Sequence, residues 1–127
     1  MGEAAAKEGD YIKATDTHIE TVGPVPSPIP HNFDGTIDGE LSKDVKIEGK
    51  AAATVDSTAT NSPAHTPKVG SFSNPPKNKG TIKQGSSTVK INGKAAARNG
   101  DMAETCNDPA DLPVGTVDAT GTVKIGG

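Results

Sequence analysis

The chain has 127 residues, with 16 acidic against 13 basic side chains and a net charge of −3, so no basic stripe argues for nucleic acid. Leu, Ile, Val and Phe amount to only 21 residues, with one Tyr and no Trp, which excludes a thick hydrophobic core. The modest net charge argues against disorder, no run approaches the ~20 apolar residues of a transmembrane helix, and a single cysteine excludes an intrachain disulfide framework. What remains is one compact all-β domain of many short strands and turns. Its thin core calls for extra fastening by a metal, a partner surface, or both.

Residues 1–8 read as a flexible polar leader with at most one frayed helical turn, and the folded domain is expected to span 9–127. Met1–Glu8 has neither the basic start nor the apolar run of a secretory signal peptide, so synthesis in the cytoplasm without one is expected. Gly9–Val22 mixes β-branched and polar residues and predicts a short strand and a loop carrying His18. Pro24, Pro26, Pro28 and Pro30 then occupy alternate positions, which forbids helix and forces extended backbone without ladder donors at those sites. That segment should run along an edge or over an end of the domain and aim His31. Thr36-Ile37-Asp38-Gly39 is a strand-and-turn fragment, and His65 lies in a loop braced by Pro63 and Pro67. Phe72–Gly80 reads as loop, Cys106 falls in a turn before Asn107-Asp108-Pro109, and Val114–Val117 and Thr122–Ile125 are the last strands. No helix longer than a turn or two is expected.

An internal repeat organises this chain. Asp44-Val45-Lys46-Ile47-Glu48-Gly49-Lys50-Ala51-Ala52-Ala53 recurs as Thr88-Val89-Lys90-Ile91-Asn92-Gly93-Lys94-Ala95-Ala96-Ala97, with Val45 and Val89 offset by 44 positions. A truncated third copy, Thr122-Val123-Lys124-Ile125-Gly126-Gly127, closes the chain, and Gly80–Gly85 resembles a weaker fourth. Each unit is a short strand, a tight turn such as Asn92-Gly93, and a step of alanines that lets backbones approach closely. Three such units predict pseudo-three-fold geometry.

His18, His31, His65 and Cys106 are all the imidazole and thiol the chain contains. Three imidazole nitrogens and one thiolate fill a tetrahedral zinc shell, and a filled shell is structural. Iron and other transition metals accept the same donors. The spacing matches no zinc finger, and four surface side chains are the plain alternative. An enzyme would need a histidine base beside a Cys106 nucleophile; no motif places one there, and a closed shell leaves no position for substrate water, so no catalytic activity is expected.

Val89-Lys90-Ile91-Asn92-Gly93-Lys94-Ala95-Ala96-Ala97-Arg98-Asn99-Gly100-Asp101 resembles the core motif of the PAAR-repeat family, V-x-I-N-G-x-P-A-A-R-x-G-D. Ala95 stands at the family's proline, Thr54 stands at the arginine of the first copy, and no histidine follows Cys106. The resemblance implies a small cone-shaped domain that caps the trimeric spike of a type VI secretion or related contractile injection system. It implies one tip per trimer, a role in membrane puncture, and a structural zinc at the apex held by His18, His31, His65 and Cys106, balanced by carboxylates such as Asp16, Asp34 or Asp108. Effector cargo would be docked rather than fused, and the particle would act outside the cell or be delivered into a target on firing. A secreted β-repeat binding module without a spike partner is the alternative.

Overall fold

Residues 2–127 are described by a computed structural model, and their regular elements are all strands. In chain order these are β1 (Glu3–Ala4), β2 (Tyr11–Val22), β3 (Val25–Gly39), β4 (Lys46–Ile47) and β5 (Lys50–Ala51). There follow β6 (Thr58–Asn61), β7 (Ser71–Phe72), β8 (Lys79–Ile82), β9 (Lys90–Ile91) and β10 (Lys94–Ala95). The last are β11 (Met102–Thr105), β12 (Leu112–Asp118) and β13 (Lys124–Ile125).

Six of these strands close on themselves by antiparallel pairing, in the order β12, β11, β8, β6, β3, β2 and back to β12. Closure satisfies the backbone of the ring itself without an open edge there, which suits a chain short of apolar residues. β2 and β3 outrun the ring as a long hairpin, paired from Tyr11↔Thr36 to Val22↔Val25, and β7 joins β2 at Glu20 and Thr21. The short strand and loop expected over Gly9–Val22 is therefore one strand of 12 residues. Its inward face carries Asp16, His18 and Glu20, so alternation of apolar and polar residues does not mark it. The prolines behave as their spacing predicts. Successive residues of a strand point their N–H groups to opposite sides, so prolines at alternate positions remove donors from one side only. Over Val25–His31 that side has no strand, and β2 holds the other.

Ile12, Phe33, Ile37, Ala59, Ile82, Ala103 and Val117 fill the ring. Three strands bring matching segments into it: Gly35-Thr36-Ile37-Asp38, Gly80-Thr81-Ile82-Lys83 and Gly115-Thr116-Val117-Asp118. Gly80–Gly85, expected as a weak fourth copy of the first repeat, belongs to this second one. Glycine is required there by close approach. A Cβ on Gly35 would lie 2.6 Å from Phe33 Cε1, and one on Gly80 3.2 Å from Phe33 Cζ.

At one end of the ring sit three two-stranded hairpins in matching register: Lys46↔Ala51 in β4–β5, Lys90↔Ala95 in β9–β10, and Lys124↔Ala4 in β13–β1. The last joins the two ends of the chain. Ala5, Ala52 and Ala96 pack with Ile47, Ile91 and Ile125 into a second small core. The next alanines bond in a circle, Ala6 N–H to Ala97 O, Ala97 N–H to Ala53 O and Ala53 N–H to Ala6 O, each at 3.0 Å. All three alanines are 0% exposed, and side chains this small let the three backbones meet.

The first residues thus differ from the leader expected for them. Glu3–Ala4 is strand, and Ala5 and Ala6 are 1% and 0% exposed. Ala4-Ala5-Ala6 is the alanine step that the truncated C-terminal copy lacks, so the third repeat is split between the two ends. Removing residues 1–8 is expected to destabilise the protein by on the order of 3 kcal/mol or more, because it takes Ala5 out of the small core and Ala6 out of the ring's core, strips β13 of its partner strand and opens the hydrogen-bond circle. Thermal unfolding checks this; an unchanged midpoint would mean the segment is dispensable.

Candidate metal centre

Away from the hairpins, β2 and β3 carry polar side chains inward. Asp16, His18 and Glu20 alternate along β2, and His31 lies opposite Asp16 in register on β3. All four are buried, with His18 only 1% exposed. Cys106 follows β11 directly, and the loop behind it is fastened to the edge of β2. Thr17 N–H donates to Asn107 Oδ1 at 2.6 Å, Ile19 N–H to Asp108 Oδ2 at 2.8 Å, and Asp108 N–H to Thr17 O at 2.9 Å. His65 sits in the loop after β6, where its N–H donates to Asn78 Oδ1 at 2.8 Å and its Nδ1 lies 3.3 Å from Asn61 Nδ2.

These anchors bring Asp16, His18, His65 and Cys106 together, with one donor atom from each and all four atoms within 4.8 Å of one another. Asp16 Oδ2 lies 2.9 Å from His65 Nε2 and accepts from Cys106 Sγ at 3.4 Å, while Thr105 Oγ1 and Asn107 Nδ2 donate to Oδ1. The His31 ring centroid is 5.8 Å from that of His18 and 5.2 Å from that of His65, and Phe72 covers the group at 5.8 Å from His18 and 5.5 Å from His31. His31 Nε2 is held at 2.6 Å by Glu20 Oε2. A cleft of about 210 Å³, lined in part by His18, Cys106 and Asp108, reaches the cluster from outside.

The residues fit a metal on one decisive observation. Both ring nitrogens of His18 are buried without a hydrogen-bond partner among the described residues. Nδ1 lies 3.6 Å from Asp108 Oδ2, too long for a hydrogen bond. Two unsatisfied polar atoms on one buried ring are costly unless something else bonds them. Burial above all, and then the neighbouring His65, hold the His18 pKa below the ordinary 6.5, so the ring is neutral and keeps a lone pair. Burial, reinforced by Asp16, pushes the Cys106 thiol up to about 11. A cation is the group that reverses that preference, since metal ligation requires the thiolate. Burial also opposes ionisation of Glu20, but amide hydrogens of Val69, Lys68 and Gly70 together with His31 outweigh it and hold its pKa down.

All four residues singled out in the sequence gather at this end of the molecule. Three of them join the donor group, and His31 packs against it from its bond with Glu20. Among the carboxylates considered as counter-charges, Asp16 lies inside the group, Asp108 borders His18, and Asp34 is exposed. Glu20 is a member of this buried group that the sequence analysis does not single out. The pattern Asp16-x-His18-x-Glu20 has the period of one strand face, and that was the available signal.

A family model described as the PAAR motif matches the chain over residues 28–106 and again over 73–127. Fold and site together define a small all-β domain with a buried group able to hold a metal ion, and the chain belongs to the PAAR motif family. No curated protein and no solved structure gives a significant match.

The raised thiol pKa carries a sign. A folded-state value of about 11 against an ordinary 9.0 stabilises the metal-free fold fully below about pH 9, and that contribution is lost as the pH rises through 11. Urea midpoints of metal-free protein should therefore fall from pH 8 to pH 11 more steeply in wild type than in Cys106→Ser; parallel profiles would contradict the buried neutral thiol.

Proposed function

We propose that this protein is the non-enzymatic tip of a contractile injection system of the type VI kind, a cone-shaped cap with pseudo-three-fold repeats on a trimeric spike. His18, His31, His65 and Cys106 would hold a structural zinc at its point. Family membership supports the spike-tip role, and the circle of hydrogen bonds through Ala6, Ala97 and Ala53 is the observation that carries the reading. A single chain that presents three matching hairpins can meet a three-fold partner without a symmetry mismatch. The outward residues support this too. Val45, Val89 and Val123 occupy matching positions and are 36%, 37% and 40% exposed. Lys46, Lys90 and Lys124 follow them, also exposed. Exposed apolar groups repeated in this way suit a partner surface.

At the other end a bound zinc would supply cross-linking. It would join β2, β3, the loop after β6 and the turn after β11, which are remote in sequence, and binding free energy of that kind adds to folding stability. The neutral imidazoles and one thiolate leave a positive centre, which Asp16 balances. No side chain has to react, and the function is mechanical: to stay folded while driven into a membrane. Effector cargo would dock on the surface, and the assembled particle would carry the tip out of the cell in which it is made.

Mixing the protein with its cognate spike and weighing the complex by native mass spectrometry tests the proposal. One chain per trimer is expected. Combined Val45→Asp, Val89→Asp and Val123→Asp substitution should weaken the complex at least about tenfold, in line with charges placed in an apolar contact. Any other stoichiometry, or full binding by the triple variant, would contradict it.

A further inference from the structure

Glu20 lies beside the donor group without belonging to it, and it is fully buried. Its Oε1 accepts the N–H groups of Lys68 at 2.8 Å, Val69 at 2.9 Å and Gly70 at 3.3 Å, and its Oε2 lies 2.6 Å from His31 Nε2. A carboxylate surrounded by donors is an acceptor only, so the proton in the contact with His31 sits on Nε2. That nitrogen has no lone pair left for a metal. We propose that Glu20 is a positioning residue that fixes the tautomer of His31, leaving Nδ1 as its metal-binding nitrogen.

The same carboxylate ties this ring to the loop that completes the site. Residues 68–70 follow His65 and precede Phe72, whose ring packs on His18 and His31. Orienting His31 and fastening the 65–72 loop are therefore one act, performed by the two oxygens of one side chain. Partners of this kind, one step behind the ligand, set ring orientation and basicity, and their loss typically lowers metal affinity about 10–100-fold. Lys68 adds a further tie, its Nζ donating to Pro30 O at 2.6 Å.

The inference rests on the metal-holding reading given above, and the test separates the two. Full-length protein labelled with ¹⁵N is examined by long-range ¹H–¹⁵N correlation, metal-free and with one equivalent of zinc. His31 should carry its proton on Nε2 in both states and shift at Nδ1 when zinc is added. Glu20→Gln keeps the size of the side chain. With its amide oxygen on the three loop N–H groups, its NH₂ would face His31 and demand an acceptor there, which inverts the tautomer. Its zinc affinity, read by competition with a chromophoric chelator, should fall about 10–100-fold. Unchanged affinity, zinc on Nε2, or a doubly protonated His31 in the zinc-loaded protein would overturn the proposal. A purely structural Glu20 would lower the metal-free melting point and leave tautomer and affinity alone. If Glu20→Gln does not fold, the wild-type spectra still decide. Failure of wild-type protein to take up zinc would sink the metal reading itself, whereas normal uptake with unchanged affinity in Glu20→Gln sinks this inference alone.

Discussion

At one end of its strand ring the protein buries Asp16, His18, Glu20, His31, Thr105 and Asn107 where most domains bury leucine. Each such group must recover the hydrogen bonds it gives up to water, or the fold loses stability for every one left over. Nearly all are recovered. Asp16 collects donors from Thr105 and Asn107, Glu20 collects three amides and His31, and Asn107 accepts from Thr17 N–H. The remainder concentrates on the two nitrogens of His18. The architecture of this end follows from that residue: loops from distant parts of the sequence are pinned around an imidazole that still needs a partner, with a thiol and a second imidazole beside it.

The opposite end meets the shortage of apolar residues differently. There the side chains shrink to alanine and the backbone does the bonding, three strands meeting through Ala6, Ala53 and Ala97 in a closed set of hydrogen bonds. Three isoleucines and three alanines seal the hairpins beneath. Between the two ends Phe33 is the large aromatic of the core, and Gly35 and Gly80 leave it room. A ring built in this way buries little area, so its closure and its polar end must supply what a larger core would.

Much of this was legible in the chain because the information is local. Asn92 and Gly93, and Glu48 and Gly49, all adopt positive φ, so the turns of the first two hairpins are announced by adjacent residues. Alternate prolines announce an edge for the same reason. The N-terminal hairpin strand was not legible, because its partner lies at the far end of the sequence and its alanine step was separated from the V-K-I segment it completes. The length of β2 is hidden in the sequence because an inward face of Asp16, His18 and Glu20 looks like a surface when hydropathy is the guide. The three histidines and Cys106 could be named from composition, but that Asp16 sits among them depends on strand register. The burial of Glu20 depends on amides of residues 68–70, which nothing in its own neighbourhood encodes.

If a metal closes the polar end, it should copurify with the protein and hold the fold together. Protein purified without chelator or added metal is assayed by elemental analysis, and its thermal unfolding is followed before and after a strong chelator. One zinc per chain is expected, with a midpoint that falls by on the order of 10 °C on its removal, since a ligand held at about 1,000 times its dissociation constant stabilises by about 4 kcal/mol. A folded protein that carries no metal, and whose midpoint is the same with chelator as without, would mean that this end closes without a metal and that something else satisfies the two nitrogens of His18.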